Sequence, residues 1–210
     1  MNLSNRECWI FDMDGTLTVA AHDFADICRQ LGIPGEKNIL EAIEALPAAE
    51  AKKRRIQLEQ IELDIAEHSK AQPGADALLE KLRSQNKRIG ILTRNSKTVA
   101  AKTLKASGLD TFFDIDHILG RDCCTPKPSP DGINHLLQNW NATPQKSVMV
   151  GDYVFDLLTG RNAGTATVHL DVTGTFLWPE HMDIGITHLN ELNQAIDLAP
   201  IEATKQYESS

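Results

Sequence analysis

No stretch of this 210-residue chain stays apolar over the roughly 18 residues that a membrane-crossing helix needs, so no membrane partner is expected. The opening segment Met1-Asn2-Leu3-Ser4-Asn5-Arg6-Glu7 has no apolar centre, so no secretory leader is expected either. Positive charge is in deficit. Lys and Arg number 21 against 29 Asp and Glu, for a net charge of -8 and a pI near 5.3. Nucleic acid usually demands a basic surface, so it is not an expected partner. An anionic substrate would need local cations or a metal to offset the acidic field. Cysteine is sparse: Cys8, Cys28, Cys123 and Cys124 show neither C-x-x-C nor metal-ligand spacing. They read as reduced, mostly buried thiols in a cytoplasmic protein, monomeric or homodimeric. No internal repeat or low-complexity tract is present, and the polar residues 202–210 read as a frayed end. What remains is ordinary globular composition, 41% hydrophobic and 24% charged, long enough for one good-sized core and a small appendage.

The apolar run Cys8-Trp9-Ile10-Phe11 reads as a buried parallel strand. Residues 20–71 then show no strand pattern. A short helix is expected over Phe24–Leu31, ending near Gly32 and Pro34, and a stripe of Ile39, Leu40, Ile43 and Leu46 stops at Pro47. A longer helix from Ala48 to about Ser69 carries Leu58, Ile61 and Ile65 on one face and Ile56 and Leu63 on the other. That pattern predicts cover on two sides. From Pro73-Gly74 the order becomes helix 75–84, strand 88–92, a helix with Ser96 as N-cap and Gly108 beyond its end, strand 115–119, helix 132–140, strand 147–150, helix 154–162 and strand 166–170. Alternating strands and helices predict an α/β fold, a parallel Rossmann-like sheet with helices on both faces. The core is then 1–19 and 72–210. Residues 20–71 form an all-helical insertion placed beside the carboxyl edge of the sheet, where ligands of open α/β sheets bind.

Four consecutive strand or loop ends carry polar groups. The first holds Asp12, Asp14, Gly15 and Thr16. The second is Thr93-Arg94-Asn95-Ser96, running into a helix whose N-terminus suits an anion. The third is Lys127, stiffened by Pro126 and Pro128. The fourth is Gly151-Asp152-Tyr153-Val154-Phe155-Asp156, whose two acids lie one helical turn apart.

This ordered set, D-x-D-G-T, then a hydroxyl after the second strand, then lysine, then G-D-x-x-x-D, resembles the haloacid dehalogenase-like superfamily over residues 8 to about 170. The run Gly151 to Gly164 resembles its phosphoglycolate phosphatase-like branch. The resemblance implies a Mg²⁺-dependent phosphatase of a small phosphorylated metabolite, with phosphoglycolate the leading candidate. It implies Asp12 as nucleophile and Asp14 as acid and base, and Thr93 and Lys127 as holders of the phosphoryl group. Thr16, Arg94 and Asn95 would bind phosphate. Asp12, Asp14 (through its main-chain carbonyl) and Asp152 would bind Mg²⁺, with Gly151 and Asp156 in support. Asp14 favours phosphoryl transfer over dehalogenation, which needs no proton donor. Residues 20–71 resemble a short C1-type cap. His22 and Asp23 could touch the leaving group, whereas Lys52-Lys53-Arg54-Arg55 reads better as a solvated face. Tyr153 departs from the small residue common at its position. A phosphomutase of the same fold, or a non-catalytic binding protein on this scaffold, is the alternative.

Overall fold

The computed structural model describes residues 3–34 and 38–197; the frayed end expected at 202–210 lies outside them. Six parallel strands form one sheet in the order β3-β2-β1-β4-β5-β6. They are β1 (Cys8–Phe11), β2 (Arg88–Leu92), β3 (Ile118–Leu119), β4 (Ser147–Gly151), β5 (Ala166–Leu170) and β6 (Ile184–Ile186). The central strand is buried on both faces, which explains its unbroken apolar run. Trp9 and Phe11 enter one apolar cluster, against α4 (Ala75–Ser84), α5 (Lys97–Ser107) and α8 (Asn190–Asp197). Cys8 and Ile10 enter the other, against α6 (Asp131–Asn139). The chain runs outward from β1 to β3 and then returns to β4 on the other side of β1. That reversal opens a crevice beyond the carboxyl ends of β1 and β4.

Between β1 and α4 lie α1 (Phe24–Leu31), α2 (Ile39–Glu44) and α3 (Ala48–Ala66). They share an apolar cluster of their own, with Ile27, Leu31, Ile43 and Leu58 at its centre. The two-sided cover expected for α3 is only half right. Ile56 is 62% exposed. The second face meets the core through polar contacts, Glu59 with Ser96 at 3.0 Å and Glu67 with Lys102 at 2.6 Å. The apolar count along the helix could not register that contact.

The N-cap of α5 is as expected: Ser96 Oγ accepts from the Val99 N–H at 3.3 Å, and Gly108 follows with φ of 74°. The expected strand 115–119 shrinks to Ile118–Leu119. Asp114 accepts from the Asp116 N–H at 3.1 Å and caps a 3₁₀ turn over Ile115–His117, leaving Ile115 exposed. β6 and α8 were not foreseen. Ile186, Leu192 and Ile196 from these elements close the larger cluster at its edge. Among the described residues no helix is long and apolar enough to cross a membrane.

Candidate active site

The Asp12 N–H still donates to Val150 O at 2.9 Å, so Asp12 is anchored as a continuation of β1 beside β4. The chain then turns tightly: Met13 O accepts from the N–H groups of Leu17 and Thr18, both at 2.9 Å. Gly15 sits in this turn with φ of 86°, and a Cβ there would lie 2.3 Å from Asp152 Oδ2. Only glycine satisfies both the backbone and the close approach. Thr16 Oγ donates to Asp152 Oδ1 at 3.1 Å and ties the first loop to the fourth.

Thr93 is buried at the end of β2, its N–H bonded to Leu119 O, and its Oγ accepts from the Asn95 N–H at 3.1 Å. The Asn95 side chain donates to Asp14 Oδ2 at 2.7 Å. Arg94 Nη1 donates to Lys127 O at 2.7 Å, and its guanidinium lies 4.9 Å from the Phe155 ring centroid. Lys127 is only 4% exposed and donates to Asp12 Oδ1 at 2.6 Å and to Asp156 Oδ1 at 2.5 Å. Burial disfavours its ammonium, but the two carboxylates outweigh burial and hold its pKa above the ordinary lysine value.

At the fourth loop, a Cβ on Gly151 would lie 2.2 Å from the Asp156 Cβ, which accounts for glycine there. Asp156 starts α7 (Val154–Ala163): its Oδ2 accepts from the Tyr153 N–H at 3.0 Å. Burial and then the charge of Asp12 raise three carboxyl groups: Asp14 to about 7, Asp152 to about 8 and Asp156 to about 6. Carboxylate oxygens of Asp12, Asp152 and Asp156 lie within 4.8 Å of one another. An all-oxygen donor set in which burial and neighbouring carboxylates raise Asp152 and Asp156 fits a hard divalent cation, whose charge would relieve that repulsion. Asp156 already has Lys127 on one oxygen and the Tyr153 N–H on the other, so Asp12 and Asp152 are the better-placed ligands. The Asp14 carboxylate stands apart from this cluster, between Asn95 and His22.

A cavity of about 410 Å³ joins these loops to α1, α2 and α3. His22 lines it, with Nδ1 3.8 Å from Asp14 Oδ1. Burial pushes its imidazole down, towards the neutral form, and its Nε2 is buried without a hydrogen-bond partner among the described residues. Lys52, Lys53, Arg54 and Arg55 are not among the lining residues; Arg54 pairs with Glu50 at 2.8 Å. Tyr153 lines the rim, its ring edge-on to Phe155 and Trp178.

One feature of the wall escaped sequence reasoning. Glu62 is 6% exposed and takes both guanidinium nitrogens of Arg121, at 2.8 and 2.7 Å. Burial raises the Glu62 pKa against the pull of Arg121. The available signal was an acid in line with Leu58 and Ile65 on the inward face of α3.

Over 201 residues the chain is 29% identical to an uncharacterized hydrolase of Saccharomyces cerevisiae, covering 93% of this chain and 92% of that one. Over 178 residues it is 29% identical to the pyrophosphatase PpaX of Halalkalibacterium halodurans, covering 75% of this chain and 80% of that one. The crystal structure of a predicted phosphoglycolate phosphatase from Haemophilus somnus shares the fold. Its TM-score is 0.69 at 20% identity, with 90% of this chain and 97% of that one covered. The sequence model described as haloacid dehalogenase-like hydrolase matches residues 9–170. Because that match runs from β1 to the end of β5, the span that carries all four loops of the site, this chain belongs to the haloacid dehalogenase-like hydrolase family.

Proposed function

We propose that this hydrolase is a Mg²⁺-dependent phosphatase that cleaves a phosphomonoester through a phosphoryl group carried on Asp12. The observation that carries the reading is the division of labour between two acids two residues apart. Asp12 lies against Lys127, whereas Asp14 is raised to about 7 and faces away, so near neutral pH it can hold a proton. A dehalogenase has no use for such a group.

In the first step an Asp12 carboxylate oxygen attacks phosphorus, the ester P–O bond breaks, and the leaving oxygen takes the Asp14 proton. In the second step the Asp14 carboxylate takes a proton from water as that water attacks phosphorus, which frees phosphate and restores both acids. Lys127, Thr93 and the Arg94 N–H hold the phosphoryl oxygens. Asn95 fixes the orientation of Asp14. Asp12, Asp152 and the Asp14 main-chain carbonyl would hold Mg²⁺, which when bound supplies positive charge against the phosphoryl oxygens. Residues 20–71 act as the cap that closes over the leaving group and excludes water.

The test is phosphate release from a generic aryl phosphate. Wild type should turn over with Mg²⁺, stop with EDTA and recover when Mg²⁺ is restored. Asp12→Asn keeps the shape and loses the nucleophile, so its turnover should fall below about 1% of wild type, a loss of several kcal/mol in barrier terms. Higher residual turnover would exclude the covalent route. Pyrophosphate belongs in the same assay, because the relative from Halalkalibacterium halodurans is a pyrophosphatase.

A further inference from the structure

The Asp152 loop is held from two sides. Thr16 ties its carboxylate to the first loop. On the other side stands His169, near the end of β5, in register with Gly151 of β4 and 1% exposed. The His169 Nε2 lies 3.1 Å from Asp152 O. A carbonyl oxygen can only accept, so Nε2 carries the hydrogen and donates it. Asp152 falls between β4 and α7, so its carbonyl belongs to neither ladder.

The Nδ1 of the same ring is buried without a hydrogen-bond partner among the described residues. An orphaned ring nitrogen costs stability, and β5 is buried along its whole length, where an apolar side chain would avoid that cost. What histidine adds at this position is one donor directed at Asp152 O. The neighbouring aromatic groups hold the ring in that orientation. Phe176 meets it edge-on at 5.8 Å between ring centroids, and Trp178 tilts over it at 5.3 Å. Phe176 takes φ of 48°, an uncommon backbone for phenylalanine, and its N–H donates to Asp171 Oδ2 at 2.8 Å. A Cβ at Gly185 of β6 would lie 2.7 Å from the Phe176 ring, so glycine there makes room for it. Asp171, Phe176 and Gly185 thus converge on keeping one imidazole against one carbonyl. Trp178 reaches further, edge-on to the ring of Tyr153, the residue after Asp152.

Resting on the metal assignment in the phosphatase reading above, we infer that His169 is a positioning residue for cation binding: its bond to Asp152 O sets the direction in which the Asp152 carboxylate faces Asp12. It touches neither substrate nor reacting atoms. Without the bond, Asp152 keeps its place in the chain but its carboxylate is tied by Thr16 alone. Metal affinity then falls, and the chemistry of a loaded site is spared.

Three substitutions separate the donor from the ring. In His169→Gln the amide nitrogen can take the place of Nε2. In His169→Asn it takes the place of Nδ1, out of reach of Asp152 O. His169→Phe keeps a ring and has no donor. Mg²⁺ binding to the full chain is read by titration calorimetry without substrate. His169→Phe and His169→Asn should weaken it by at least about tenfold, and His169→Gln should stay within about threefold of wild type. The metal-free melting temperature of His169→Phe should be no lower than that of wild type, because the orphaned nitrogen is gone. In turnover of an aryl phosphate, the Mg²⁺ concentration giving half the maximal rate should rise in step with the calorimetric loss. The rate at saturating Mg²⁺ should change by less than about threefold. Wild-type Mg²⁺ affinity in the phenylalanine and asparagine variants, with or without a fall in stability, assigns His169 to packing and overturns the proposal. Equal weakening in the glutamine variant does the same. If His169→Phe does not fold, the comparison of His169→Asn with His169→Gln decides alone. A wild-type protein that binds Mg²⁺ yet releases no phosphate sinks the phosphatase reading and leaves His169 to calorimetry. One that binds no Mg²⁺ overturns both.

Discussion

Lys127 holds together carboxylates that would otherwise repel, and the cost of losing it should depend on pH. In Lys127→Met, Asp12 and Asp156 face each other in a nearly dry site without a cation. Asp156 is raised to about 6 even with the lysine present, by burial first and Asp12 second, so the variant carries a protonated Asp156 at pH 5 and a strained carboxylate at pH 8. Urea unfolding of the metal-free protein should show a loss of about 3 kcal/mol at pH 8 and clearly less at pH 5; equal losses would dispose of this account. Single residues were legible to different degrees. Asp12, Thr93, Lys127 and Asp152 could be placed because each directly follows a strand or is locked between prolines, and Asp14 because it lies two residues past Asp12, so local pattern fixes each address. For Asn95 the loop was legible and its partner Asp14 was not. Its bond to Asp14 spans the gap between β2 and β1, and nothing near Asn95 in the chain encodes that partner.

Among the elements, α3 joins the insertion to the core through charge, and its key pair is buried. The side chain of Arg121, in the loop after β3, is nearly buried against that of Glu62. Arg121→Leu strands an ionised acid on the cavity wall and should lower stability by about 3–5 kcal/mol in denaturant titrations. Adding Glu62→Leu to that variant should restore most of the loss, because the penalty comes from the orphaned charge rather than from the missing bond. A single variant as stable as wild type, or a double variant no better than the single, would refute this. Helix and strand order from β1 to β5 was legible because buried parallel strands and amphipathic helices leave different periods in the chain. β6 escaped because three residues, Ile184, Gly185 and Ile186, are too few to show any period. Contact of α3 with the core was expected from its two apolar faces, but the polar character of its meeting with α5 escaped for a different reason. That meeting includes hydroxyl, carboxylate and ammonium groups, which in the sequence are indistinguishable from a solvated face.

Across the whole molecule, the carboxyl groups at the sheet edge set how stability responds to pH. Asp14, Asp152 and Asp156 all have folded values raised above the ordinary carboxylate value of about 3.9. The sign follows directly: their contribution to stability is fully present below about pH 4 and is lost as pH rises through the folded values, between about 6 and 8. Metal-free protein should therefore become less stable towards pH 8. Asp152→Asn should raise its melting temperature at pH 8 but not at pH 4. Mg²⁺ should stabilise wild type far more at pH 8 than at pH 5, and the variant little at either. A Mg²⁺ effect of the same size at both pH values, or in both proteins, would contradict the cluster as its site. The central place of β1 has a further consequence, for synthesis. Its partners arrive late, with Cys8 pairing to Arg88 on one side and to Ser147 on the other. At roughly 5–20 residues per second on the ribosome, the first apolar strand waits on the order of ten seconds for its second neighbour. Until Ser147 emerges, a nascent chain carries Asp12 on an open-edged strand, inert as a catalyst and sticky towards other unfinished chains. Its burden on chaperones should accordingly fall mainly before the last third of the protein is made.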